Sequence, residues 1–248
     1  MLKSLIEALS MYSRIPMPDI EWDKNSMGWA ICFFPVVGVI IGAVEYILYF
    51  ITTTLDMEFL KICLMAAVPI IITGGIHADG FMDTVDAISS RVSAEKKLEI
   101  MNDPHTGAFA VIYFILYMIV YLGLLGELRR KAVGAFCFSF IISRALSGIF
   151  VNVFPKAKNE GLAKIWSAMT EDRAIIVLGV EALVCIIIML FLCPFAAILT
   201  LLVSAIVSLY HYINCTKNFG GITGDLAGYF LQLEEIAILF CCVLGGRI

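Results

Sequence analysis

Residues 174–193 read Ala174-Ile175-Ile176-Val177-Leu178-Gly179-Val180-Glu181-Ala182-Leu183-Val184-Cys185-Ile186-Ile187-Ile188-Met189-Leu190-Phe191-Leu192-Cys193, a run of 20 residues carrying one charge, Glu181. That is the length a helix needs to cross the hydrocarbon core of a bilayer. It must be helical, because lipid offers no partner to bare backbone amides. Pro194 follows at once and marks a tight reversal, since proline cannot continue a helix. The chain turns apolar again over 195–213. Working outward, further apolar stretches occupy 28–54, 59–75, 108–126, 132–154 and 229–246, which makes seven candidate spans. Those at 59–75 and 229–246 are short for a full crossing and suit partial or tilted spans. The predicted fold class is all-α: a polytopic integral membrane bundle of about six to seven transmembrane helices, one membrane domain over residues 1–248.

Composition agrees. Of 248 residues, 61% are hydrophobic and 15% charged, with a mean hydropathy of +0.95. An ordinary soluble domain is nearer half apolar and a quarter charged, and disordered chains lie still further toward charge. The net charge of −4 leaves no basic excess to attract nucleic acid. Seven of the eight cysteines fall inside or at the edge of spans with no Cys-x-x-Cys pair, so they read as small packing residues.

Residues 1–27 are mixed in character and predict no cleavable signal peptide. Within them 2–12 reads as an amphipathic helix suited to the membrane interface, ending at Arg14-Ile15-Pro16-Met17-Pro18. With seven spans, the side holding the N-terminus carries eleven of the lysines and arginines outside the spans and the opposite side five. The positive-inside rule then predicts a cytoplasmic N-terminus and an external C-terminus.

Three polar clusters stand out, all predicted on that cytoplasmic side. The densest runs Thr73-Gly74-Gly75-Ile76-His77-Ala78-Asp79-Gly80-Phe81-Met82-Asp83-Thr84-Val85-Asp86. Asp79, Asp83 and Asp86 stand at i, i+4 and i+7, so on a helix they share one face and repel one another. A divalent cation would offset that repulsion, and Mg²⁺ prefers hard oxygen ligands together with substrate phosphate. The plain alternative is a solvated polar face. The second cluster, Asn102-Asp103-Pro104-His105-Thr106-Gly107, leads into the third span and reads as an anion-binding helix start or as a simple N-terminal stop. The third, Asn218-Phe219-Gly220-Gly221-Ile222-Thr223-Gly224-Asp225-Leu226-Ala227-Gly228, reads as a flexible surface loop with exposed backbone donors, or as a re-entrant turn. Two cytoplasmic loops, 76–107 and 214–228, are thus predicted to build an active site. Within the spans lie Glu45, Arg144, Glu181, Glu234 and Glu235, functional candidates because intramembrane charge is costly. Arg144 suits either pairing with a carboxylate or holding a phosphate through its planar fork. His211 and Tyr212 read as interfacial anchors.

Taken together these residues resemble the cobalamin synthase family, the adenosylcobinamide-GDP ribazoletransferases. The resemblance runs from Ser13-Arg14-Ile15-Pro16-Met17-Pro18 and Phe34-Pro35-Val36-Val37-Gly38 through His77-Ala78-Asp79-Gly80 with Asp83 and Asp86. It continues through Leu98-Glu99-Ile100-Met101-Asn102-Asp103, Ser143-Arg144, Pro155 and Glu160-Gly161-Leu162 to Gly220-Gly221-Ile222-Thr223-Gly224-Asp225 with Glu235. Ala87, Pro104-His105-Thr106 and Ala110 depart from the family pattern.

The resemblance implies an integral enzyme of a prokaryotic cell membrane with its active site facing the cytoplasm. It would join adenosylcobinamide-GDP to α-ribazole, or α-ribazole 5′-phosphate, with release of GMP and dependence on Mg²⁺. It further implies Asp79, Asp83, Asp86 and Asp225 as metal ligands and His77 or Asp103 as acceptor of the hydroxyl proton. Arg14, Arg144 and the loop carrying Gly220, Gly221, Thr223 and Gly224 would hold phosphate. A homo-oligomer is compatible with such a chain. Two other readings are a different Mg²⁺-dependent membrane phospho- or prenyl-transferase, and a secondary transporter using Glu45, Arg144 and Glu181 at the midplane.

Overall fold

The computed structural model describes residues 1–157, 170 and 172–248, apart from the side chains of Lys24, Asn25 and Asp172. Lys158, Lys164 and Glu160-Gly161-Leu162 lie outside the described residues. In chain order the helices are α1 (Leu2–Tyr12), α2 (Lys24–Ala30), α3 (Phe34–Thr54), α4 (Glu58–Thr73), α5 (Ile76–Ser89), α6 (Ala94–Ile100), α7 (Ala108–Glu127), α8 (Arg130–Cys137), α9 (Ser139–Val153), α10 (Asp172–Leu192), α11 (Pro194–Phe219) and α12 (Gly224–Gly245). No strand occurs among the described residues.

Six helical stretches are long and apolar enough to cross a membrane: Ser26–Thr54, Ala108–Glu127, Arg130–Val153, Arg173–Leu192, Pro194–Phe219 and Gly224–Gly245. The chain is an integral membrane protein. The short stretch at 59–75 forms α4, which is followed by α5 at a bend of 93°. The bend sits on Gly74 and Gly75, whose φ angles of +68° and +80° are left-handed, a conformation glycine adopts without Cβ strain. With three carboxylates on one face, α5 belongs outside the hydrocarbon, and α4, at 16 residues short for a full crossing, is the apolar half of this bent pair.

Helix α12 is the most enclosed span, and α7, α10 and α11 face outward over most of their apolar surface. The core gathers Ile41, Met65, Leu125, Phe136, Phe140, Met189 and Leu239 from seven elements. Glycines let α3 run directly against α9: a Cβ on Gly38 would stand 2.2 Å from the Phe140 carbonyl oxygen. All eight cysteines are free.

Two boundaries differ from the sequence reading. Helix α11 runs past residue 213 to Phe219, because its polar end is satisfied laterally: Lys97 Nζ on α6 donates to Asn218 Oδ1 (2.6 Å), and Asn218 donates to Asn214 Oδ1 (2.8 Å). Helix α12 begins at Gly224 rather than near residue 229, with Thr223 Oγ1 capping it by accepting from the Leu226 amide (3.2 Å). The loop predicted over 214–228 therefore shrinks to the four residues between α11 and α12, and that over 76–107 is largely α5 and α6. His211 is a buried residue rather than an interfacial anchor, set among the rings of Phe150, Phe154 and Phe230. Helix α1 folds onto the bundle: Glu7 is fully buried and accepts from Ser26 Oγ (2.5 Å), while Lys3 pairs with Asp23 (2.5 Å).

Candidate active site

All three sequence clusters meet at one end of the bundle. A Cβ on Gly80 of α5 would lie 2.7 Å from the Asp225 carbonyl oxygen, and one on Gly228 of α12 would lie 3.3 Å from the His77 backbone. Gly80 is thus what lets α5 reach the first turn of α12. Gly107, the residue before α7, brings the chain against Asp86, whose two carboxylate oxygens stand 2.1 Å from where its Cβ would be. Asp79 is exposed, and Asp83, Asp86 and Asp225 are half-buried.

Electrostatics register the crowding. Burial first, then repulsion from Asp79, Asp225 and Asp86, pushes the Asp83 carboxyl from its ordinary 3.8 up to about 6. Asp79, Asp83 and Asp86 share one face of α5, and Asp225 stands against that helix from the first turn of α12. Among the described residues no three histidine, cysteine, aspartate or glutamate side chains close on one point as a finished metal site would. The donors are nonetheless hard oxygens under mutual repulsion, a set suited in kind to Mg²⁺ with substrate phosphate completing the shell.

Two cavities flank this face and share Met11 and Ile76. One, of about 650 Å³, is lined by Ser10, Ser13, Arg14, Thr73, Gly74 and Asp79 among others. Arg14 is anchored there by its amide, which donates to the Ile72 carbonyl (2.8 Å), and its side chain covers Gly74. A cation and a carboxylate thus line one open cavity. The other, of about 190 Å³, is bounded by Tyr12, Phe34, His77, Ser147, Asp225 and Leu231. Its walls are aromatic: Tyr12 and Phe34 lie 4.1 Å apart centroid to centroid, and Phe34 meets the His77 ring at 5.7 Å. His77 is buried, and its Nε2 has no hydrogen-bond partner among the described residues. Burial, then the Arg144 charge, holds its pKa well below the ordinary value, so the ring is neutral.

The remaining sequence candidates divide. Asp103 stands at the surface before α7, where His105 donates to it from its amide (2.9 Å) and sits 2.7 Å away through Nδ1. Both contacts hold its carboxyl below the usual range. Arg144 takes the paired arrangement. It is buried, with Nη1 2.7 Å from Glu235 Oε1 and donating to the Phe140 carbonyl (2.8 Å). Ser143 Oγ also donates to Glu235 (3.2 Å). In the glycine loop two expected backbone donors are already used: the Gly221 amide donates to the Cys215 carbonyl (2.9 Å) and the Ile222 amide to the Pro155 carbonyl (2.7 Å). Gly221 is small because the 155–157 backbone crosses it. Gly220 and Gly224 face open space, and Thr223 serves as the helix cap. Glu45 and Glu181 do not join the cluster; both oxygens of Glu45 lie buried without a partner in the bundle core. The aromatic wall of Tyr12 and Phe34 is invisible in the sequence, because apolar residues in an apolar chain carry no distinguishing signal.

Gly80 offers a direct check on this assembly. In Gly80→Ala the added methyl meets the Asp225 backbone, not a side chain that can swing away. The expected cost is about 1–3 kcal/mol of overpacking, read as a lower melting temperature in detergent, with Asp83 and Asp225 moved apart.

A family model described as cobalamin-5-phosphate synthase matches residues 4–243. An adenosylcobinamide-GDP ribazoletransferase of Lachnoclostridium phytofermentans is 41% identical across 100% of this chain and 96% of its own length. One of Clostridium botulinum is 36% identical across 98% of each chain, and one of Fusobacterium nucleatum is 30% identical across 96% of each. No solved structure matches.

Proposed function

Since the chain belongs to the cobalamin-5-phosphate synthase family, we propose that it joins adenosylcobinamide-GDP to α-ribazole or its 5′-phosphate, releasing GMP, with Mg²⁺ held at the acidic face of α5. The observation that carries the metal part is the approach of Asp79, Asp86 and Asp225 to Asp83, whose repulsion adds to burial in raising the Asp83 pKa to about 6. In the reaction a ribose hydroxyl oxygen bonds to the phosphorus on the cobinamide arm. The bond from that phosphorus to the GMP oxygen breaks, and GMP leaves.

Phosphoryl transfer asks a protein mainly to position groups and balance charge. Asp79, Asp83, Asp86 and Asp225 would hold Mg²⁺, which supplies neutralisation of the diphosphate and of the leaving oxygens. Arg14, in the larger cavity with Asp79, places a cation where a phosphate can approach. The exposed Gly224 at the α12 N-terminus adds a favourable dipole for an anion. The neutral His77, whose buried Nε2 is unpartnered among the described residues and which lines the smaller cavity with Asp225, is one candidate acceptor for the hydroxyl proton; Asp103, ionised and paired with His105, is the other. The excess of lysine and arginine on the N-terminal side supports a site facing the cytoplasm.

The test is GMP release from adenosylcobinamide-GDP by the purified, folded chain with and without α-ribazole. Release that requires α-ribazole is expected; none from a folded preparation overturns the reading. The metal part has a pH signature. The folded pKa of Asp83 lies above its ordinary 3.8, so in the metal-free protein this group favours the fold at low pH and weakens it as pH rises through about 6. A bound cation removes that penalty, and protons compete with it. Mg²⁺ should therefore raise the melting temperature more at about pH 8 than at about pH 5; equal shifts would count against a carboxylate site.

A further inference from the structure

At the opposite end of the bundle from the acidic face, a groove of about 550 Å³ opens between α3 and the α8–α9 helix and is closed at one side by Leu192 of α10. Its α3 wall is Val39, Ala43 and Tyr46, and its facing wall is Phe138 and Ile141. Val39, Ala43, Tyr46 and Leu192 are exposed on segments that lie in the bilayer, so the groove faces lipid. The residues contributed by α8–α9 climb one helix face at i, i+4, i+8 and i+11, namely Arg130, Gly134, Phe138 and Ile141. The cations Arg130 and Lys131 thus stand at one end of an otherwise apolar trough. Both are exposed, and among the described residues neither makes an ion pair with a carboxylate. The nearby Arg247 is spent on Glu127. Arg130 instead lies over the Phe50 ring, 5.2 Å from its centroid, which holds it at the groove end.

We propose that this groove is a binding site for an anionic phospholipid, with an acyl chain along α3 and α9 and the phosphate on Arg130 and Lys131. The shape fits an amphiphile: the volume lies within the range of small-molecule sites, about 300–1,000 Å³. The charge order selects the class. A zwitterionic lipid brings its own cation to the two positive side chains, whereas an anionic headgroup leaves them neutralised, at about 1 kcal/mol for each basic residue near such a surface. A free phosphate would leave the apolar length of the groove unexplained. The site is independent of the chemistry at the acidic end.

The experiment is native mass spectrometry of the full chain released from detergent after addition of dioleoyl phosphatidylglycerol or dioleoyl phosphatidylcholine in equal amounts. Phosphatidylglycerol is expected to remain bound at one copy and to raise the melting temperature, and phosphatidylcholine to do neither. Replacing both cations (R130Q with K131Q) should cut phosphatidylglycerol retention about tenfold or more. Ala43→Phe, which fills the trough and leaves the cations in place, should lower it as well and provides the check if the double variant fails to fold. Equal retention of the two lipids, or retention in folded variants at the level of the unaltered chain, overturns the proposal.

Discussion

Asp83→Asn is expected to cut GMP release by roughly 10²–10³-fold, the scale for removing one electrostatic group at a reacting centre, while the protein stays folded. The substitution is nearly isosteric, so α5 keeps its packing against α12. What changes is charge on a face shared with other carboxylates: burial, then the charges of Asp79, Asp225 and Asp86, move Asp83 to about 6. Removing its charge lowers the repulsion, and the metal-free variant should melt no lower than the unaltered chain. It also removes a hard oxygen ligand, so the Mg²⁺ concentration giving half-maximal rate should rise. Activity and stability are thus predicted to move apart. A variant that melts earlier and is inactive for that reason would instead point to a structural role for Asp83.

Glu235→Ala should destabilise the bundle by about 3–5 kcal/mol, the cost of leaving a buried charge without its partner. Arg144 is 1% exposed and Glu235 2%, and neither can reach water without unpacking α9 from α12. The pair also holds Ser143, and the Arg144 guanidinium sits 5.8 Å from the Phe34 ring that forms a wall of the smaller cavity. Loss of Glu235 should therefore show as a large drop in melting temperature in detergent. Exchanging both members together, Glu235→Leu with Arg144→Met, should recover much of it, since an ion pair exchanged for apolar side chains of similar volume is often neutral. If Arg144 acts through this pair, the recovered double variant keeps GMP release; if its guanidinium also meets phosphate, stability returns without activity.

The membrane bundle is legible in the sequence because an apolar run of about 20 residues matches the thickness of a bilayer and little else. The boundaries that differ lie where polar residues are satisfied by neighbours the sequence does not reveal. Asn214, Lys217 and Asn218 look like the end of a span, yet α6 supplies Lys97 to Asn218 and the helix continues. Gly224 and Gly228 dilute the hydropathy of α12 so that its first turns resemble a loop; in the fold Gly228 is small because the His77 backbone passes against it.

In the site, the spacing of Asp79, Asp83 and Asp86 is sufficient to place them on one face. Span counting puts Asp225 on the same side of the membrane and motif resemblance joins it to them, but the physical cause of the contact, the missing Cβ of Gly80, is visible only in three dimensions. The amides of Gly221 and Ile222 illustrate the converse. A glycine-rich stretch suggests exposed donors, but a backbone crossing at 155–157 consumes one of them and the end of α11 another. Sequence leaves the partner of Arg144 open among several acidic residues, and helix packing selects Glu235.

The most direct test of the acidic face as the seat of catalysis is the Mg²⁺ dependence of GMP release from adenosylcobinamide-GDP and α-ribazole, measured on the full chain in detergent after chelation of divalent metal. No release is expected without metal, with saturable recovery on adding Mg²⁺ and the midpoint moved to higher Mg²⁺ in Asp86→Asn. A full rate in the presence of chelator, or an unchanged midpoint in that variant, would contradict a metal site at this face.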